Sequence, residues 1–111
     1  MNLFKDPSTI VVEKSKVVKY LLNIDHPDGF SKARIFIRFG FHPENWEDFV
    51  VNVKLHAKQA KVIKDLETAF GRKIVLKGIL ETPSQRKLTV MSVWMVALKT
   101  PILVTLYPEK R

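Results

Sequence analysis

The sequence contains no cysteine, which excludes disulfide bonds and thiolate metal sites. A chain without cysteine is typical of a reducing compartment, so the expected location is the cytoplasm. Residues 1–6 are too short and mixed to resemble a signal peptide, and no apolar run approaches the ~20 residues that a membrane-spanning helix needs. We therefore expect no membrane partner.

The familiar catalytic and cofactor motifs are also absent. The chain has no glycine-rich phosphate loop, no HExxH, no GxSxG and no aspartate-rich metal loop. Its histidines, His26, His42 and His56, are scattered, and a zinc site without cysteine would need all three together with a carboxylate. His42 and His56 fit a helix end and a helix flank. The sequence therefore predicts neither a metal ion nor a cofactor.

Acidic residues are few relative to basic ones. The 111 residues include 19 Lys and Arg against 11 Asp and Glu, a net charge of +8. A surplus of this size in a small domain favours a polyanionic partner such as RNA, DNA or an acidic protein. The alternative is a solvated surface rich in Lys and Glu that binds no charged ligand.

The length and composition fit one domain spanning residues 1–111, because 46% hydrophobic residues suffice for a single core. Residues 1–12 are interpreted as a flexible or short-strand lead-in. Residues 13–23 repeat apolar positions at helical spacing, which predicts an amphipathic helix with a basic outer face. A second helix is expected to begin near Pro43 and to end near Gln59.

Residues 31–41 give conflicting signals. Read with a period of two, Ala33, Ile35 and Ile37 share a face, which favours a strand by a small margin. Read with a period of 3.6, Ser31 is a helix N-cap and Gly40 marks the helix end. The pattern alone prefers the strand and leaves the helix open.

The second half of the chain predicts four strands, at residues 61–69, 73–81, 87–98 and 102–107. A continuation of the preceding helix through Val62 and Leu66 is the alternative for the first, but it leaves the second without an antiparallel neighbour. The third is apolar on both faces and should lie inside the sheet. Strict alternation places Leu103, Thr105 and Tyr107 on one face. The predicted fold class is α+β, with N-terminal helices packed on one face of a four-stranded antiparallel meander sheet.

The candidate catalytic residues are His26, Lys32, Thr105 and Tyr107. A histidine can exchange a proton near neutral pH, and a fixed cation nearby can neutralise a pentavalent phosphate, a combination suited to RNA cleavage. Two hydroxyl groups one pleat apart could hold a phosphate or a base. The alternative is structural, with His26 capping a turn, Lys32 solvated, and Thr105 and Tyr107 acting as ordinary strand formers.

The sequence also resembles an uncharacterised bacterial domain family whose members occur as small free-standing proteins and at the C-termini of polymorphic toxins. The resemblance covers nearly the whole chain after residue 12 and departs at Gln85, where the family tends to have glycine. It rests on Tyr20, Leu21, Leu22, Asn23, His26, Pro27, Gly29, Lys32, Ala33, Phe36, Gly40, Phe41, Trp46, His56, Ala57, Phe70, Gly71, Gly78, Thr82, Pro83, Arg86, Val93, Trp94, Pro101, Leu103, Val104, Thr105, Tyr107 and Pro108.

That family is similar to the barnase, EndoU, colicin and RelE group of metal-independent ribonucleases, in which helices precede a four-stranded antiparallel sheet. The resemblance implies a helix at residues 31–39 and a strand at residues 61–69. It also implies a toxin-like protein whose partner is an acidic antitoxin or immunity protein.

Two functions are therefore expected from the sequence. The first is a metal-independent endoribonuclease, in which His26 transfers a proton, Lys32 stabilises the transition state, and Thr105 with Tyr107 holds the phosphate or base. The second is a non-catalytic basic module that binds nucleic acid or an acidic protein. Its cations would be Lys14, Lys16, Lys19, Arg34, Arg38, Lys54, Lys58 and Lys61.

Overall fold

The computed structural model describes residues 3–109. Its helical half contains α1 (Lys14–Lys16), which continues as a π-helical turn (Val17–Leu21), then α2 (Phe30–Arg38) and α3 (Trp46–Gln59). Short 3-10 turns lie at Pro7–Thr9 and Pro43–Asn45. The strands are β1 (Lys61–Thr68), β2 (Gly71–Glu81), β3 (Lys87–Ala97) and β4 (Thr100–Pro108). Within the described residues, no helix is long and apolar enough to cross a membrane.

The four strands form an antiparallel meander in the order β1-β2-β3-β4. The predicted α+β fold class is confirmed, since the helices come first and the strands follow. The apolar strand β3 lies between two neighbours, as its two hydrophobic faces predict.

Residues 30–38 form a helix, so the strand that alternation favoured is wrong there and the helix implied by the family resemblance is right. Ala33 and Phe36 are fully buried, three residues apart on one helical face. The start also differs from the prediction, because Gly29 occupies the N-cap position and Ser31 lies inside the helix. Backbone bonds to the His26 carbonyl, 3.3 Å from Gly29 N and 3.1 Å from Phe30 N, lead the loop into the helix.

The core lies between α3 and one face of the sheet. Phe49 and Val53 of α3 are fully buried, as are Leu76 of β2 and Trp94 of β3. Gly78 lets β2 approach the end of α3 closely. A Cβ at position 78 would lie 2.8 Å from the Cβ of Ala60 and 2.9 Å from its Cα, closer than such atoms pack.

Replacing Gly78 by alanine is therefore expected to lower the free energy of unfolding by about 1–3 kcal/mol, because the new methyl group overlaps Ala60. Urea denaturation of the variant and the wild-type protein measures the loss. The second substitution Ala60→Gly removes the overlapping methyl group and should recover part of it. Equal losses in the single and double variants would show that the contact is not the cause.

A polar cluster lies inside this core. His56 is 2% exposed, its Nε2 lies 2.8 Å from the Ser92 hydroxyl, and the Trp94 indole Nε1 donates to the same hydroxyl at 2.8 Å. His56 lies on the flank of α3, as predicted, and its imidazole points into the protein. Within residues 3–109, His56 Nδ1 has no hydrogen-bond partner. Burial lowers the pKa of His56 to about 4. The Ile79 backbone raises this pKa, without forming a regular hydrogen bond to the imidazole, and offsets the lowering only in part.

Strand β4 does not alternate strictly. Trp94 pairs with Leu103 and Val93 pairs with Thr105, so Val104 is an extra residue in the strand. As a result Leu103 lies on the buried face, while Thr105 and Tyr107 lie on the other face in register with Val93 and Met91. The prediction that Leu103, Thr105 and Tyr107 share a face is wrong because of this bulge.

The lead-in at residues 3–12 lies outside the regular helices and strands and pairs with an edge of the sheet. The lead-in runs along β4, where Val11 N donates to the Pro101 carbonyl and Leu103 N donates to the Val11 carbonyl, each at 2.9 Å. Residues 1 and 2 of the lead-in lie outside the described residues.

Gln85 has a φ of 66°, in the left-handed region that favours glycine, at the position where the family tends to have glycine.

Candidate functional site

The centre of the candidate site is the half-buried ammonium group of Lys32. Lys32 Nζ donates to the Tyr20 hydroxyl at 2.5 Å and to the Thr105 hydroxyl at 3.3 Å. These contacts join the π-helical turn, α2 and β4 at a single cation. The structure thus brings together Lys32 and Thr105, two of the predicted catalytic residues.

Tyr20 belongs to this site, although it was not among the predicted catalytic residues. The hydrogen bond from Lys32 lowers the pKa of Tyr20, the Thr105 hydroxyl acts in the same direction, and burial opposes both. Lys16 and Lys32 also lie over the phenol ring, with Nζ 5.5 and 4.8 Å from its centroid. The sequence could have pointed to Tyr20 through its spacing. It follows Lys16 by four residues on the predicted helix and precedes His26 by six.

His26 adjoins Lys32 through Tyr20. The two aromatic rings meet edge to face with centroids 4.8 Å apart. The backbone N–H groups of Asp28 and Gly29 donate to His26 Nδ1 at 3.0 and 3.1 Å. A ring nitrogen that accepts these bonds carries no proton, so the neutral imidazole holds its proton on Nε2. That Nε2 makes no hydrogen bond to any residue between 3 and 109.

Gly29 positions this pair of rings. A Cβ at residue 29 would lie 2.9 Å from Tyr20 Cε1 and 3.2 Å from the Tyr20 carbonyl oxygen. The absent side chain therefore leaves the space in which the phenol packs against the loop that carries His26.

A cleft of about 1100 Å³ lies beside the cluster. Lys32 and Tyr107 both line it, and Ile35, Ile63 and Met91 supply apolar surface. Tyr107 and Met91 are register partners on the sheet face opposite to the one that carries the core. His26 and Thr105 are not lining residues, and they join the cleft through their contacts with Tyr20 and Lys32.

Two further charged side chains line the cleft and were not predicted as site residues. Lys77 of β2 and Glu109 form an ion pair with Nζ and Oε2 2.6 Å apart. Strand alternation alone gives no sign of this pair, because it depends on the register between β2 and the end of the chain.

The eight predicted nucleic-acid-binding cations spread over several elements, from α1 to β1. Lys14 packs over the Trp46 ring with Nζ 5.0 Å from its centroid, and Lys16 over Tyr20. Arg72 with Asp65 and Lys77 with Glu109 are the ion pairs formed among residues 3–109, so no carboxylate there pairs with any of the eight. The structure places Lys61 in register with Lys77 beside the cleft.

The chemistry available at the cluster is proton exchange and anion stabilisation. The groups available are the Tyr20 phenol with its lowered pKa, the Lys32 ammonium, the hydroxyls of Thr105 and Tyr107, and the His26 imidazole N–H. Together such groups can bind a phosphate and move a proton. Among the residues described, no group of three or more His, Asp or Glu side chains lies close enough together to hold a metal ion.

Comparison with solved structures finds a similar fold in a "Contact-dependent growth inhibition toxin - immunity protein complex from Klebsiella pneumoniae 342". The match has a TM-score of 0.73 at 14% sequence identity and covers 95% of this chain and 97% of that chain. No curated protein matches the sequence. A family model described as "Domain of unknown function (DUF6883)" matches residues 3–110. The chain therefore belongs to this family of domains of unknown function.

Proposed function

We propose that this chain is a small toxin-like endoribonuclease that cleaves RNA by attack of a ribose 2′-hydroxyl on the adjacent phosphate. The observation that supports this most is the position of the Lys32 ammonium, shared by the Tyr20 and Thr105 hydroxyls at the wall of the cleft. A cation fixed by two hydrogen bonds is preorganised to stabilise the charge that develops on a pentavalent phosphate.

The proposed reaction uses Tyr20 and Lys32 as a proton-transfer pair. Tyr20, as phenolate, takes the proton from the 2′-hydroxyl while the O2′–P bond forms. The P–O5′ bond breaks, and Lys32 gives a proton to the departing 5′-oxygen. The products are a 2′,3′-cyclic phosphate and a 5′-hydroxyl end. Proton transfer along the 2.5 Å bond from Tyr20 to Lys32 then restores both groups.

His26 and Tyr107 hold the substrate in this proposal. His26 donates from Nε2 to a phosphate oxygen, because its Nδ1 already accepts the bonds of Asp28 and Gly29. Tyr107 offers an aromatic face and a hydroxyl on the floor of the cleft, where an unpaired base could stack. No metal ion takes part in these steps, since the side chains supply both the proton transfers and the positive charge.

The toxin-like part of the proposal draws on the structural neighbour. That structure contains a toxin and its immunity protein, so the likeness supports either kind of protein. The Lys32 cluster and the adjoining cleft favour the toxin, because a protein that only blocks a partner needs no tuned phenol. A toxin with a net charge of +8 would pair with an acidic immunity protein.

The test is to incubate the purified protein with a single-stranded RNA and with the DNA oligonucleotide of the same sequence, both in EDTA. We expect cleavage of the RNA to 2′,3′-cyclic phosphate ends and an intact DNA, because only RNA carries the 2′-hydroxyl nucleophile. Gel electrophoresis and mass spectrometry of the fragments identify the ends. Equal cleavage of RNA and DNA, or products with linear 5′-phosphates, would contradict the proposed reaction.

A second function, a non-catalytic module that binds RNA, is favoured by the eight cations that no carboxylate in residues 3–109 pairs with. Such a module binds RNA with a steep dependence on salt and leaves it uncut. The same incubation therefore separates the two functions.

A further inference from the structure

We infer that Lys77 is a phosphate-binding residue for single-stranded RNA in the cleft, and that Glu109 occupies it in the free protein as a stand-in for the phosphate. The inference rests on the proposed function, because it takes the cleft to be the RNA site. It adds a phosphate-binding residue and an intramolecular ion pair that competes with the phosphate for that residue. The reaction itself needs neither.

The sheet register places Lys77 in the same row as Tyr107. Lys77 pairs with Met91, and Met91 pairs with Tyr107, across β2, β3 and β4. All three side chains line the cleft. Two strand spacings separate Lys77 from Tyr107, which is about 10 Å. A nucleotide whose base packs on Tyr107 and Met91 can therefore extend its backbone toward Lys77, while Lys32 serves the scissile phosphate.

The neighbouring charges also indicate an anion at this position. Lys61 of β1 is the direct register partner of Lys77, and two like charges opposite each other in a sheet repel. Lys61 is exposed and has no ion-pair partner within residues 3–109. Lys77 is neutralised by Glu109 at 2.6 Å. A phosphate between the two lysines would relieve the repulsion and bring charge of the same sign as the carboxylate.

Glu109 reaches Lys77 from the chain segment that follows β4. Its backbone N–H donates to the Thr89 carbonyl at 2.9 Å, which extends the pairing with β3 by one residue. The side chain then crosses β3 on the cleft face to reach β2. The ion pair is partly exposed, with 46% of the Lys77 side chain and 36% of the Glu109 side chain accessible, so an incoming phosphate can displace the carboxylate.

The test measures the affinity of a fluorescein-labelled single-stranded oligodeoxynucleotide, which lacks the 2′-hydroxyl and is not cut, over a series of salt concentrations. We expect Glu109→Gln to bind about two- to fivefold more tightly than the wild-type protein, since the competing carboxylate is gone. Lys77→Gln should bind more weakly and lower the salt slope by about 0.7. The double variant should bind like Lys77→Gln, because Glu109 acts only through Lys77.

Asp65→Asn is the matched control. It removes one carboxylate from the exposed Asp65–Arg72 pair, whose atoms are also 2.6 Å apart and which does not line the cleft. It changes the net charge by the same amount and should leave the affinity within the error of the wild-type value. Equal tightening by Asp65→Asn and Glu109→Gln, or tightening that persists without Lys77, would overturn the inference.

The two levels of the proposal fail in different ways. If RNA is not cut but these affinities follow the expected order, the phosphate site stands and the ribonuclease function falls. If RNA is cut and the affinities do not follow that order, the ribonuclease function stands and the assignment of Lys77 falls.

Discussion

Replacing Lys32 by methionine is expected to slow RNA cleavage by about 10²–10³-fold while the protein remains folded. The substitution removes the cation that would stabilise the pentavalent phosphate and the proton that would go to the 5′-oxygen. It also removes the hydrogen bond that lowers the pKa of Tyr20. Initial rates of RNA cleavage at saturating substrate measure the loss, and thermal melting of both proteins checks the fold.

The pH dependence distinguishes this role from a merely structural one. If Tyr20 acts as the base, the rate rises with pH as the phenol ionises, and loss of Lys32 moves that rise to higher pH. Lys99→Met is the control, since this exposed lysine lies in the β3–β4 turn, at the far end of β4 from Tyr107. A Lys32→Met protein that cleaves RNA at the wild-type rate and with the wild-type pH profile would refute the assignment.

The second large effect is a loss of stability in acid that comes from His56. Its pKa is about 4 in the folded protein and has an ordinary value of 6.5, so the unfolded chain binds the proton more tightly. His56 therefore favours the folded state fully above pH 6.5, and this contribution is lost as the pH falls toward 4. The free energy of unfolding should drop by about 2 kcal/mol at pH 5 and about 3 kcal/mol at pH 4.

Urea denaturation at a series of pH values measures this dependence for the wild-type protein and for His56→Gln. Glutamine does not titrate, so the variant should lack the His56 component of the slope between pH 7 and pH 5, whatever its stability at pH 7. The carboxylates contribute equally to both proteins and cancel in the difference. Identical slopes would mean that His56 is protonated in the folded protein without cost.

The sequence predicted the sheet well because three of its strands carry their own local signal, and the first was predicted because the second needs an antiparallel neighbour. Strand β3 is apolar on both faces, and the chain does place it inside the sheet. The turns were marked by Gly71 and by Pro83, and the observed strands begin and end within a few residues of the predicted limits. Local pattern and tertiary packing agree in β2 and β3.

Helix α2 could not be predicted from alternation because two periods fit the same residues. Ala33 occurs in both patterns, but only the helical period puts Phe36 on its face, and the buried pair decides which period applies. The decision comes from the core that the rest of the chain provides. The local sequence does not determine whether these residues form a helix or a strand, and the family resemblance implied the helix.

The candidate site was predictable in part. Lys32 and Thr105 are in contact, which the helix predicted for residues 31–39 allows. Tyr20 was missed because it meets Lys32 only through the path of the loop between the π-helical turn and α2, which the local pattern does not give. Lys77 was missed because its partner Glu109 follows two further strands along the chain. The roles of all four predicted catalytic residues, His26, Lys32, Thr105 and Tyr107, stay predictions until the cleavage experiments are done.

Val104, the bulge residue of β4, marks the position at which this strand can lose one residue without changing which side chains face the core. Losing Val104 would leave Leu103 on the core face of the sheet and Thr105 on the opposite face, next to Lys32. Each part of the strand would therefore keep its present orientation. Losing one residue between Leu106 and Pro108 would instead exchange the sides for everything that follows it. Relatives of this chain can therefore differ by one residue at position 104 and still keep the hydroxyls of Thr105 and Tyr107 on the same face of the sheet.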